Sequence, residues 1–184
     1  MNVNRTPIDG LLVLESEQFP VLRGNFYESY SRRTYEAAGI NDDFVQDNIS
    51  YSTKDVLRGL HCQKFKSQSQ LVTVISGKIF DVCLDLRKGS ITFGQWYSIQ
   101  LESEGENQIY MPPGFAHGFC VLSSSAIVQY KCSNYWSKKD ENTIKWDDPD
   151  INIKWPIKNP ILSEKDAKAL AIKSKKKLPI FKND

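Results

Sequence analysis

Val56-Leu57-Arg58-Gly59-Leu60-His61-Cys62-Gln63 is a mostly apolar run that carries a guanidinium and an imidazole three residues apart. It reads as a buried strand. Side chains alternate between the faces of a strand, which puts Leu57, Gly59 and His61 on one face and Arg58, Leu60 and Cys62 on the other, unless Gly59 marks a bulge that re-aims them. A fixed base beside a fixed cation suggests a site, and a satisfied core histidine next to a surface arginine fits the same run. His61 is one of two histidines in the chain.

Outward from this run the chain repeats the same kind of segment. β-rich stretches fall at 44–49, 56–61, 71–75, 78–86, 94–101, 108–111, 118–122 and 126–132, with turn residues between most of them, at the spacing of a sandwich or barrel. The expected fold is mostly β and antiparallel. Ahead of these, 11–14 and two segments around a turn within 19–28 read as strands, and 31–38, followed by Gly39, reads as a short helix. Past Trp136 the pattern thins into Lys-, Asp-, Asn- and Pro-rich connections around Trp146 and Trp155, two tryptophans that need an apolar surface to lie on. Residues 137–184 are therefore expected to wrap the fold as a tail. Within it Ser163-Glu164-Lys165-Asp166 has the S-x-x-[DE] spacing of a helix start, continued over 167–172. The basic run at 173–177 reads as a solvated face or frayed end.

The 184 residues fit one domain, 1–184, and 40% hydrophobic residues suffice for a substantial core. A net charge of +2 gives no general attraction to nucleic acid or membrane, so the expected partners are small. Cys62, Cys83, Cys120 and Cys132 form no C-x-x-C pair and sit in or beside apolar runs, which points to a reduced, cytoplasmic compartment. No run approaches the roughly 20 apolar residues of a membrane helix, and the first residues do not resemble a signal peptide.

The second histidine lies in Met111-Pro112-Pro113-Gly114-Phe115-Ala116-His117-Gly118-Phe119, whose P-x-G-x-x-H spacing resembles the second motif of the cupin double-stranded β-helix. Metal-binding cupins assemble three or more N or O ligands, usually from a paired H-x-H and a glutamate on an earlier strand. Here that place reads His61-Cys62-Gln63 with no second histidine and no glutamate nearby, so no metal is expected. Arg58-Gly59-Leu60-His61-Cys62-Gln63, then Asp81-Val82-Cys83-Leu84-Asp85-Leu86-Arg87, the Pro112–Phe119 motif, Tyr130-Lys131 and Ser163-Glu164-Lys165-Asp166 together resemble the dTDP-4-dehydrorhamnose 3,5-epimerases, a metal-independent branch of the cupins. Arg23-Gly24-Asn25-Phe26-Tyr27-Glu28, Phe44-Val45-Gln46-Asp47-Asn48, Ser90-Ile91-Thr92-Phe93-Gly94-Gln95-Trp96, Trp146-Asp147-Asp148-Pro149 and Trp155-Pro156 follow the same order, so the resemblance covers nearly the whole chain.

The resemblance implies a cupin-type double-stranded β-helix, or jelly roll, with short peripheral helices. It also implies a reaction in which a nucleotide-linked 4-keto-6-deoxy sugar loses and regains protons at carbons 3 and 5, both alpha to the ketone. The implied conversion is dTDP-4-dehydro-6-deoxy-D-glucose to dTDP-4-dehydro-L-rhamnose, on the route to L-rhamnose, with no cofactor. Such chemistry needs a base on one face of the ring, a proton donor on the other and a polar group at the enolate oxygen. The resemblance carries the base to His61, its orienting carboxylate to Asp166 and the acid to Tyr130. A helix-capping acid is equally natural for Asp166 at its spacing, and a buried strand tyrosine for Tyr130. By the same resemblance Arg23 and Arg58 hold the diphosphate, and Phe26, Glu28, Gln46 and Asn48 approach the nucleotide, some across a dimer interface. Lys165 is a further phosphate contact, and His117 with Asp81 forms a supporting polar pair. A homodimer is implied, with the N-terminal β segment at its interface.

Three positions depart from the family's pattern. Gln70 stands where the family has a lysine that steadies the enolate, so that Lys64 or Lys66 would have to substitute. Val21 replaces an acid two residues before Arg23, and Tyr135-Trp136 replaces a Tyr-Tyr pair near the sugar or base. These departures leave open an epimerase that acts at one carbon or on a related nucleotide-linked 4-keto sugar. They also leave open a sugar-nucleotide-binding cupin without catalysis.

Overall fold

The computed structural model describes residues 1–103, 105, 107–174 and 178. Two antiparallel sheets face each other. The first has six strands in the order β1 (Asn2–Arg5), β2 (Leu12–Glu15), β10 (Asn107–Met111), β7 (Gln70–Ser76), β12 (Ser125–Cys132) and β5 (Gln46–Thr53). The second has five, in the order β13 (Glu141–Thr143), β6 (Leu57–Gln63), β11 (Phe115–Val121), β8 (Lys78–Asp85) and β9 (Trp96–Glu102). A separate hairpin pairs β3 (Gln18–Val21) with β4 (Gly24–Tyr27). From β5 to β12 the chain changes sheet at every step except the β8–β9 hairpin, which is the winding of a cupin-type jelly roll.

Period-two patterning builds the core between the sheets. Val72 and Val74 of β7, Ile109 and Met111 of β10 and Val128 of β12 meet Ile79 and Cys83 of β8 and Phe115, Phe119 and Val121 of β11. The opposite face of the second sheet presents Leu60, Val82, Leu84 and Ala116, and these are covered by Ile144, Ile151 and Ile153 of the tail. Trp155 and Trp96 pack at this layer, their indole N–H groups donating to the carbonyls of Trp146 and Ile151. The short helix α1 (Arg32–Ala37) lays Tyr35 on the outer face of the first sheet against Leu14, Leu71 and Tyr110.

Several boundaries differ from the sequence expectation. The strand expected at 44–49 runs over Gln46–Thr53 and pairs along its length with β12, although its core-facing positions Asn48, Ser50 and Ser52 are polar. The strand expected at 118–122 begins at Phe115, because Phe115, Ala116 and His117 pair with Asp85, Leu84 and Cys83. The helix expected to continue over 167–172 stops early: α2 spans Glu164–Ala167, and Leu170 forms a parallel bridge with Ile144 and accepts from the Lys145 N–H. Tertiary pairing there overrides helix propensity. A 3-10 turn follows at Ile172–Ser174, and residues 175–177 of the basic run lie outside the described residues. Among the described residues no helix is long and apolar enough to cross a membrane.

Candidate active site

β6 and β11 pair with His117 opposite His61 and Phe119 opposite Arg58, so Gly59 and Leu60 together face the single residue Gly118. The extra residue is a bulge that resets the alternation. Leu60 and Cys62 enter the core beneath the tail, while Arg58 and His61 line the same cleft on the other face. Only glycine allows this: Gly59 has φ 129°, and a Cβ there would sit 2.5 Å from the Gly118 Cα. The Gly59–Leu60 peptide is cis.

The cleft opens between the sheets where their facing rows turn from apolar to polar. Along β7 the row runs Val74, Val72, Gln70; along β12, Val128, Tyr130; along β11, Val121, Phe119, His117. Gln46 and Asn48 of β5 complete the wall of a cavity of about 270 Å³.

His61 Nε2 lies 2.6 Å from Asp166 Oδ1. Asp166 is only 3% exposed, and its backbone N–H donates to the Ser163 hydroxyl that caps α2. Ser163 thus does the capping, and the Asp166 side chain is spent on His61. Burial alone would raise the Asp166 carboxyl, but the hydrogen bond and charge of His61, the Ser163 hydrogen bond and the Lys165 ammonium together hold it below its usual value. Asp166 is therefore a carboxylate that accepts Nε2–H, which fixes the ring's orientation and leaves Nδ1 as the nitrogen available for proton transfer.

Tyr130 lies on β12 opposite Asn48 and Val72. Burial raises its phenol first, with smaller upward contributions from Cys132 and Glu141 and a downward one from Arg58. It stays protonated at neutral pH and can act as an acid. His117 Nε2 meets Asp81 Oδ2 at 2.7 Å, both side chains being buried. Arg58 is pinned to β5, Nε donating to Ser52 Oγ at 2.8 Å and Nη2 to the Tyr51 carbonyl at 3.2 Å, which leaves Nη1 for an anion. Lys165 also lines the cleft and pairs with Glu141 at 2.7 Å.

Gln70 does reach the cleft, and its Oε1 is buried without a hydrogen-bond partner among the described residues. Neither Lys64 nor Lys66 lines the cleft, so the expected substitution for the missing ammonium does not occur there. The loop after β6 is held outside it by Asp140, which accepts from the N–H groups of Phe65 and Lys66. Arg23, Phe26 and Glu28 lie in or just after the β3–β4 hairpin, are exposed, and do not line this cleft. The side chain of Val21 lies outside the described residues. Gln68 and Glu141 line the cleft without having been singled out from sequence, and Trp136, singled out as a departure near the sugar or base, lines it with its indole 54% exposed. Glu141 sits on a three-residue strand with no periodic pattern, so only its pairing with Gln63 reveals it. Among the described residues no three His, Cys, Asp or Glu side chains converge as a metal site.

The profile of the dTDP-4-dehydrorhamnose 3,5-epimerase family matches residues 5–174. The dTDP-4-dehydrorhamnose 3,5-epimerase of Shigella flexneri is 49% identical over 90% of this chain and 93% of its own length. The crystal structure of dTDP-6-deoxy-D-glucose-3,5-epimerase from Legionella pneumophila, in complex with dTDP-4-keto-L-rhamnose, superposes with a TM-score of 0.95 at 44% identity over 99% of both chains. A 3'-monoepimerase from Streptomyces bikiniensis, in complex with dTDP-quinovose, superposes with a TM-score of 0.84 at 29% identity over 90% of this chain and 85% of that one. The paired histidine and carboxylate, the protonated tyrosine and the pinned arginine thus stand in a fold and a sequence shared almost end to end with these enzymes, and the chain belongs to the dTDP-4-dehydrorhamnose 3,5-epimerase family.

Proposed function

We propose that the chain epimerises carbons 3 and 5 of dTDP-4-dehydro-6-deoxy-D-glucose to give dTDP-4-dehydro-L-rhamnose. The observation that carries this is the His61–Asp166 pair, 2.6 Å apart, in one cleft with Tyr130. His61 Nδ1 takes the proton from the carbon alpha to the ketone, the C–H electron pair moves into the enolate, and the His61 imidazolium is stabilised by Asp166. Tyr130 delivers a proton to the other face of the ring, and solvent restores both groups. Arg58 and Lys165 hold the diphosphate as charge-assisted donors, and Gln46, Asn48 and the Trp136 indole form the wall for the nucleoside. Arg23, Phe26 and Glu28 reach the cleft of a second copy, the β3–β4 hairpin crossing a homodimer interface.

The neutral Gln70 favours a second reading, in which one carbon reacts much faster than the other or only one reacts. Incubation with dTDP-4-dehydro-6-deoxy-D-glucose in heavy water, followed by proton NMR, separates the cases. Loss of both the carbon 3 and carbon 5 signals is expected; loss of one selects the monoepimerase, and binding without exchange marks a cupin that has lost catalysis.

A further inference from the structure

The polar side chains of the cleft are mostly bonded to one another. Gln46 Nε2 donates to Asn48 Oδ1 at 2.9 Å, and Gln46 Oε1 accepts from the Trp136 N–H at 2.9 Å. Gln63 Oε1 accepts from the Ser137 N–H at 2.7 Å, and its Nε2 donates to Gln68 Oε1 at 3.2 Å. The charged groups are paired as well, His61 with Asp166, His117 with Asp81 and Lys165 with Glu141.

Gln70 stands apart. Five amide side chains line the cleft, and the oxygens of the other four each have a donor, whereas Gln70 Oε1 is buried with no partner among the described residues. Gln70 opens β7 in register with Met111 of β10 and Cys132 of β12, both 1% exposed. A thioether has no hydrogen to give, and burial pushes the Cys132 thiol up to about 11, which makes it a weak donor. A buried acceptor left unpaired costs free energy that is regained when a donor arrives. The terminal torsion of a glutamine is broad, so the amide turns toward a ligand at little cost.

The amide also differs in kind from the ammonium that the family pattern places here. An ammonium only donates, whereas the amide accepts at Oε1 and donates from the adjacent Nε2. Its complement is a donor next to an acceptor, which a hydroxyl on the carbon beside a ketone supplies. We infer that Gln70 reads the α-hydroxy ketone of the sugar, Oε1 accepting from the hydroxyl at carbon 3 and Nε2 donating to the ketone oxygen at carbon 4, so that this chain selects 4-keto sugars bearing the carbon 3 hydroxyl over 3-deoxy ones. This rests on the proposed epimerase activity. A site that pairs its acceptor with a substrate hydroxyl rejects the analogue lacking it, because the acceptor is then left unpaired. Carbon 5 lies on the other side of the ketone and is exchangeable in both kinds of sugar, which makes it the reporter.

The test compares dTDP-4-dehydro-6-deoxy-D-glucose with its 3-deoxy counterpart in heavy water, reading kcat/KM from loss of the carbon 5 proton. The unmodified protein should favour the hydroxylated sugar by about tenfold or more, the effect of leaving one buried acceptor unpaired. Gln70→Met keeps the length of the side chain and removes both amide groups, and the preference should fall below about threefold. Equal rates on the two sugars in the unmodified protein refute the inference without any variant having to fold. A preference that survives in Gln70→Met assigns the hydroxyl to another residue and refutes it as well. If the unmodified protein exchanges neither sugar, the epimerase reading fails by itself, and titration calorimetry with the same two sugars decides the recognition. A preference in Kd of about tenfold that Gln70→Met abolishes upholds it, and equal affinities overturn it.

Discussion

The contact between His61 Nε2 and Asp166 Oδ1 fixes the orientation of one small ring, and the proposed function gives the proton transfer to its other nitrogen. His61→Ala should abolish exchange at both carbons while leaving dTDP binding near normal, because Arg58, Gln46 and Asn48 remain; a variant keeping more than a few per cent of the rate would remove His61 from the role of base. Asp166→Asn keeps the shape but changes which tautomer is held, and turnover should fall by about three to four orders of magnitude. The helix start should survive this change, since Ser163 caps it, so a normal melting temperature with low turnover separates orientation from folding. The carboxyl of Asp166 is held below its usual 3.8, so its contribution to stability is present above about pH 4 and is lost as the pH falls through its folded value. Urea titrations taken below pH 4 should accordingly show a steeper loss of stability in the unmodified protein than in Asp166→Asn. At the other end of the scale Tyr130, raised above 10.0, keeps its proton, and loss of activity through its ionisation should begin only above pH 10.

Among the elements, β6 and its bulge position the site. Regular alternation would have sent Arg58 and His61 to opposite faces, and the two residues of β6 facing Gly118 bring them to one. Gly59→Ala meets the Gly118 Cα at 2.5 Å in a backbone conformation that L-residues avoid. Overpacking costs about 1–3 kcal/mol and the left-handed backbone about 1–2 more, which for a domain of this size lowers the melting temperature by roughly 5–15 °C. Exchange should fall with it, because both side chains hang on that turn. Gly39→Ala is the control, with positive φ but open space around it, and should cost only the backbone strain and spare the rate. Scanning calorimetry and the heavy-water assay on the two variants check this; equal losses would show that the close approach of β6 to β11 is not what Gly59 serves. The strand character of 56–63 and the bulge option were legible in the sequence, since both follow from apolar patterning and one glycine. Ser50 and Ser52 were not read as strand because β5 turns polar side chains toward the cleft and sits at a sheet edge. Likewise the end of α2 is set by Leu170 pairing with Ile144, a contact that no local pattern announces. The candidate site residues His61, Asp166 and Tyr130 were named only through motif resemblance. Nothing in the local sequence says that Asp166 reaches back 105 residues to His61, or that Glu141 holds Lys165.

At the scale of the molecule the cleft is open and the hairpin that the family motif ties to the nucleotide is elsewhere. Phe19, Leu22 and Phe26 of the hairpin are exposed, and so are Val45, Ile49 and Tyr51 along the edge strand β5 and the segment leading into it. Two exposed apolar surfaces of one chain suit the proposed second copy, in which each hairpin would deliver Arg23, Phe26 and Glu28 to the cleft of its partner. Mixed dimers test this arrangement. Arg23→Ala spoils the hairpin contribution and His61→Ala the base, and each variant alone should be nearly inactive. In a heterodimer of the two, one cleft combines an intact His61 with an intact Arg23 from the other chain, and the second cleft lacks both. Random reassortment gives half heterodimers with one working site of two, so the mixture should recover about a quarter of the unmodified rate. Were Arg23 to act on the cleft of its own chain, every site in the mixture would lack one of the two groups, and the rate would stay at the level of the separate variants. The same variants run singly on a sedimentation gradient should remain dimeric, because neither change removes the apolar surfaces; a monomer there would show instead that Arg23 serves assembly rather than the nucleotide.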